Sequence, residues 1–169
     1  LVSRALAPLA EHPWHLDCVG SLDRAPPWAD RIRRLRRDLG LEDRVSFRGA
    51  LPDAELEERY RQADLFVLPT RFEGYGMVVA EALARGLPVL ATRTGALPDL
   101  VDREAGILVT PDDPQTLGEA LARLLVDPGL RRHLAAGARA AGCRLPTWTD
   151  AAGAFAAACQ QTLGGDAQG

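Results

Sequence analysis

A chain of 169 residues, 47% of them hydrophobic and 25% charged, carries enough apolar material for one globular domain with a sizeable core. Its formal net charge of -3 argues against a general nucleic-acid binder, although all 20 basic residues are arginine. Cys18, Cys143 and Cys159 are too far apart for a metal knuckle or a redox pair and odd in number for a disulfide framework, so reduced thiols in a cytoplasmic protein are expected.

No apolar run approaches the ~20 residues of a membrane span, and LVSRALAPLAEHP lacks the apolar stretch of a signal peptide. Leucine in place of an initial methionine suggests a piece of a longer protein. Residues 1–11 read as a helix with Leu1, Ala5, Leu6 and Leu9 on one face and Pro8 against its continuation. HLDCVGS predicts a strand over 16–19, closed by Gly20 and Ser21; one glycine there is not the GxGxxG dinucleotide fingerprint. His12 and His15 flank Trp14 with no acidic or cysteine partner evident, and are read as ordinary loop and strand residues.

Pro26, Pro27 and Trp28 open a helix that runs to Leu39 and is ended by Gly40. Ile32, Leu35 and Leu39 give it a core stripe, with Arg31, Arg33, Arg34, Arg36 and Arg37 outside. A solvated face is favoured there over a surface for anionic lipid or a partner. RVSFRGAL predicts the next strand, with Val45 and Phe47 facing inward. An acidic helix over 53–63 should then use Leu56 and Tyr60 as core contacts.

The stretch 64–92, DLFVLPTRFEGYGMVVAEALARGLPVLAT, predicts strand, helix, strand. DLFVLP and LPVLAT are short apolar runs of the kind buried on both faces. The helix between them is apolar on nearly all sides, which predicts that protein encloses it. Its one charge, Glu81, needs donors, either protein groups such as Arg71 or Arg93 or the hydroxyls of a ligand. Glu73 lies on the loop before it, followed by Gly74, Tyr75 and Gly76. Two glycines let backbone amides approach a ligand, and the amides opening the helix form an anion site. Glu73 itself either serves that ligand or caps the helix, and Tyr75 either stacks on the ligand or packs. Glycoside hydrolysis needs two carboxylates facing each other across one bond, about 5 to 9.5 Å apart. A loop residue and one two helical turns further on instead address different parts of one elongated ligand.

Residues 92–96, TRTGA, form a loop at the carboxyl end of the sheet, where doubly wound folds bind ligands. A helical turn over 97–101, a last strand in GILVT, helices over 114–125 and 128–141, the latter broken near Gly137, and an alanine-rich helix from Thr147 to about Leu163 complete the chain. His133 reads as a surface residue, and residues 165–169 as a disordered tail. The fold class is therefore α/β, a Rossmann-like parallel sheet flanked by helices, without internal repeat or low-complexity linker.

FEGYGMVVAEALARGLPVLAT, with both glutamates, the glycines, the flanking strands and the GLPV turn, resembles the donor-site motif of the family 4 retaining glycosyltransferases. The resemblance covers residues 1–163 and implies the C-terminal half of the two-domain GT-B fold, with residues 1–164 as the nucleotide-sugar binding domain and the N-terminal acceptor domain outside the chain. It implies Glu73 at the donor sugar as the catalytic residue and Gly74, Tyr75, Gly76 and Met77 around sugar and diphosphate. Glu81 falls on the ribose hydroxyls. Gly20, Arg48, Gly49 and Leu51 join the donor-binding set, the loop from Arg48 receiving the base mostly through its backbone. The implied activity is metal- and cofactor-independent transfer of a hexose from a UDP-, GDP- or ADP-linked donor, in polysaccharide or glycoconjugate synthesis. Peripheral membrane association of the full-length protein stays open. So do a nucleotide-sugar epimerase of the same fold and a non-catalytic nucleotide-binding module.

Two features of that family have no counterpart here. One is the domain's opening strand, central in the family's sheet between the strands matching 16–19 and 65–68. The other is the arginine and lysine pair after it, which neutralises the donor diphosphate. The isolated chain is therefore expected to be inactive, at most a weak donor-binding half.

Overall fold

The computed structural model describes residues 1–164, so the expected tail, residues 165–169, lies outside the described residues. Helix α1 (Val2–Leu6) passes into a 3-10 turn (Ala7–Leu9) at Pro8, whose ring removes the amide a continuing helix would need. Then come β1 (Leu16–Val19), α2 (Pro26–Asp38), β2 (Val45–Gly49), α3 (Asp53–Gln62), β3 (Phe66–Leu68), α4 (Met77–Ala84) and β4 (Val89–Thr92). After these follow α5 (Leu97–Leu100), β5 (Gly106–Val109), α6 (Pro114–Val126), α7 (Pro128–Gly142) and α8 (Trp148–Gly164). Strands and helices alternate to β5, and every strand pair is parallel, as crossover helices require.

The sheet is in two parts. β1 pairs with β2, and β3-β4-β5 form a second ladder; β1 and β3 do not pair with each other. β4, paired on both sides, is buried at all four positions. Its side chains alternate between two apolar clusters, one on each face of the ladder. Val89 and Ala91 join Val79, Ala82, Leu83, Leu97 and Ala138. Leu90 joins Leu6, Leu117, Leu121, Leu124 and Leu134. Full burial of each leucine contributes about 1.5–3 kcal/mol.

Three expectations need correction. β3 is half-buried at all three positions rather than enclosed, because only β4 flanks it. α4 is likewise not enclosed: Val79, Ala82 and Leu83 face the core, whereas Met77 and Val78 in its first turn are exposed. α7 runs unbroken through Gly137, where a Cβ would lie 1.8 Å from the Glu104 carbonyl oxygen. That glycine permits close packing and does not interrupt the helix.

Ile32 and Leu35 of α2, and Leu39 at its C-cap, are only half-buried. Arg36 departs from the outward row: its guanidinium donates to the Val45 carbonyl at 3.0 Å and lies over the Phe47 ring. His15 also has an acidic neighbour that the sequence order conceals, Asp17 at 3.4 Å, because alternate residues of a strand share a face. No helix among the described residues is long and apolar enough to cross a membrane.

Candidate functional site

The loop between β3 and α4 carries Glu73, Gly74, Tyr75 and Gly76 of the expected donor-site residues, and the chain after β4 holds it in shape. Thr92, fully buried at the end of β4, donates its hydroxyl to the Thr70 carbonyl. Thr94 donates its hydroxyl to the Arg71 carbonyl at 3.1 Å, and the Ala96 amide donates to the Glu73 carbonyl at 3.2 Å. Between them Gly95, at φ +53°, lets the two loops touch, since a Cβ there would stand 1.7 Å from the Glu73 carbonyl oxygen. Three backbone carbonyls before α4, those of Thr70, Arg71 and Glu73, are thus held from the TRTGA segment.

Glu73 is half-buried, and its Oε1 accepts from the Gly76 amide at 2.9 Å. The carboxylate therefore caps the entry to α4, favourable beside the positive end of the helix. Gly76 adopts φ +71° to turn the chain into the helix, with Leu97 and Leu100 packed where a side chain would go. The amides of Met77, Val78 and Val79 then open α4 with no acceptor among the described residues. Free N–H groups at a helix start, backed by the helix dipole, suit an anionic oxygen.

Around this point stand exposed apolar side chains. Phe72 is 79% exposed, Tyr75 84% and Met77 66%. Tyr75 therefore does not pack into the core of this domain. Gly74 beside it is exposed, with nothing within 4 Å of the position a Cβ would take.

Glu81, five residues into the rising helix, is half-buried. Its Oε2 accepts from the Tyr60 hydroxyl at 3.2 Å. The arginines considered as its partners lie elsewhere: Arg71 pairs with Asp112 at 2.8 Å, and Arg93 is exposed with no ion-pair partner among the described residues. Arg85, one turn on, donates to the Glu81 backbone carbonyl at 2.9 Å and to Glu57 at 2.6 and 2.8 Å, leaving the Glu81 carboxylate itself alone. Burial, with the Glu81 charge beside it, pushes the Tyr60 phenol up to about 12.

The remaining expected residues form a second group at the ends of β1 and β2. The Gly20 amide donates to the Gly49 carbonyl at 2.8 Å, and both glycines have positive φ. Arg48 turns its guanidinium to Asp17, 2.8 Å away. Burial opposes the Asp17 charge, but Arg48, His15 and Arg59 outweigh it and hold the pKa below the usual carboxylate value. Leu51 is half-buried on the loop leading to α3. The two groups are tied through α3, which leaves that loop and carries Tyr60 to Glu81. Tyr60 was anticipated only as a core contact; its place among charged residues in DAELEERYRQ was the available signal. No group of three or more histidine, cysteine or acidic side chains among the described residues has the geometry to hold a metal ion.

The family model described as "Glycosyl transferases group 1" matches residues 1–127. The chain belongs to the group 1 glycosyltransferases. A D-inositol 3-phosphate glycosyltransferase of Acidothermus cellulolyticus is 43% identical over 116 residues, 68% of this chain. The chain spans 26% of that relative's length. The sucrose-phosphate synthase of Thermosynechococcus elongatus superposes with a TM-score of 0.86 at 30% identity, covering 98% of this chain and 42% of that one. Anabaena HepE, solved in complex with UDP-glucose, gives a TM-score of 0.74 at 29% identity over 85% of this chain and 40% of its own. Within the group 1 glycosyltransferases this fold is the C-terminal half of the GT-B architecture, the parallel sheet with flanking helices described above.

Proposed function

We propose that this chain is the donor-binding half of a retaining glycosyltransferase, which moves a sugar from a nucleotide-diphosphate donor to an acceptor held by an N-terminal domain. The observation that carries the reading is the layout of α4. Its three unclaimed amides suit the diphosphate, Glu73 at its mouth suits the sugar, and Glu81 further along suits the ribose hydroxyls. Gly49 and Leu51, at and after the end of β2 on the way into α3, are then the candidates for the base. The UDP-glucose complex of Anabaena HepE supports a nucleotide sugar as the ligand class.

Cleaving the donor leaves negative charge on the departing phosphate, and preorganised N–H donors stabilise it as it forms. An exposed helix terminus supplies ~1 kcal/mol, a small share of a catalysed barrier. Further cations are required, and the arginine and lysine that the family places after its first strand are the candidates. The leaving phosphate, on the face where the acceptor enters, assists departure and takes the acceptor's proton. The exposed Phe72, Tyr75, Met77 and Val78 form an apolar rim suited to a covering domain.

Calorimetric titration of the chain with UDP, GDP and ADP tests the reading. One of them binds, and Glu81→Ala weakens it at least tenfold with an unchanged far-UV circular dichroism spectrum. Unchanged affinity in that variant makes Glu81 structural and removes the donor site. Transfer is separated from epimerisation by the products of the full-length protein: a glycosylated acceptor in one case, an altered free nucleotide sugar in the other.

A further inference from the structure

The structure assigns Tyr60 as a positioning residue: its hydroxyl fixes the Glu81 carboxylate in the orientation that meets a ribose diol, and so couples the base side of the site to the ribose side. This rests on the donor-site reading above and adds to it a residue on a different helix.

The hydroxyl takes one lone pair of Oε2 at 3.2 Å. A carboxylate offers about four acceptor positions, so Oε1 and the rest of Oε2 stay open to two hydroxyl donors. A guanidinium in the same place would engage both oxygens in a bidentate pair and compete with the ligand. The nearby guanidinium, Arg85, is kept from doing so. It donates twice to Glu57, at 2.6 and 2.8 Å, and once to the Glu81 carbonyl, and lies 4.6 Å above the Tyr60 ring.

Nor can the phenol swing away. Tyr60 is 9% exposed, with Phe66 of β3 against its ring at 6.1 Å between centroids and Arg85 over it. Glu57 and Tyr60 belong to α3, Glu81 and Arg85 to α4, so the four side chains lash the two helices together. α3 begins two residues after Leu51, at the end of the loop assigned to the base. A shift of that loop on binding a base therefore reaches the carboxylate through Tyr60.

The test uses whichever of UDP, GDP and ADP binds the chain best, together with its 2′,3′-dideoxy analogue. The variants are Tyr60→Phe, Glu81→Ala and their double mutant, each checked by thermal unfolding. Tyr60→Phe keeps the ring against Phe66 and under Arg85 and removes the hydroxyl alone. Three results are expected together. Tyr60→Phe weakens the ribonucleotide about five- to tenfold, leaves the dideoxy analogue within twofold, and adds nothing in the Glu81→Ala background. Equal weakening of both ligands, or additive effects in the double mutant, makes Tyr60 a packing residue and overturns the inference. An unchanged ribonucleotide affinity in Tyr60→Phe, with a collapse in Glu81→Ala, overturns the inference and leaves the donor site standing. Failure of the wild-type chain to bind any of the three, or indifference to Glu81→Ala, overturns both.

Discussion

Gly95 shows how one missing side chain shapes the candidate site. Its positive φ, and the Glu73 carbonyl oxygen only 1.7 Å from where a Cβ would stand, leave no room for a methyl group. Gly95→Ala should cost at least about 1–2 kcal/mol from the backbone conformation alone, since the clash adds to it. The lower midpoint of urea unfolding measures that loss, and a weaker nucleotide titration reports the displaced loop. Glu73→Gln isolates charge from shape, because an amide oxygen can still cap the Gly76 amide. With Glu73 at the sugar, this variant binds the nucleotide diphosphate like wild type but the nucleotide sugar several-fold more weakly. Equal affinities for the sugar-bearing ligand in both proteins would reduce Glu73 to a helix cap.

At the scale of elements, α3 and α4 are joined by a phenol and a carboxylate, and that junction has a pH signature. The Tyr60 pKa stands near 12 when folded, against 10.0 for an ordinary tyrosine, through burial first and the Glu81 charge second. A raised pKa means the folded state holds the proton more tightly. The contribution is therefore complete below pH 10 and is lost as the pH climbs towards 12. Urea midpoints should fall through this window in the wild-type chain and fall less in Tyr60→Phe. Helix boundaries were readable from sequence: the prolines at the starts of α2, α6 and α7, and Gly40 after α2, lie where expected. Misread was the environment of α4. MVVAEALA gives no sign that Met77 and Val78 project beyond the domain, because local apolarity is the same whether the cover is intramolecular or a second domain.

For the molecule as a whole, the interrupted sheet sets a gradient of stability. β4 is paired on both sides and fully buried, whereas β1 and β2 form a two-stranded ladder, an arrangement marginal by itself. Native-state hydrogen exchange should find the β4 amides exchanging only through global unfolding and those of β1 and β2 through a smaller opening. Uniform protection across both ladders would show that they open as one. Leu83→Ala, in the cluster between α4 and α7, should cost about 2–5 kcal/mol, read from the same urea transitions.

Periodicity and the turn residues were enough to determine the α/β class and the parallel order of the strands. Each depends on residues close in the chain, whose spacing fixes which way side chains point. The capping bond from Glu73, the threonine and glycine supports of its loop, and Tyr60 as the neighbour of Glu81 were decided only in three dimensions. Tyr60 and Glu81 stand 21 positions apart on different helices, and an arginine, a tyrosine or a ligand would satisfy a buried carboxylate equally well on paper. Chain folding alone chose the phenol: α3 and α4 pack beside β3 with Arg85 already bound to Glu57, which leaves a neutral donor as the group within reach.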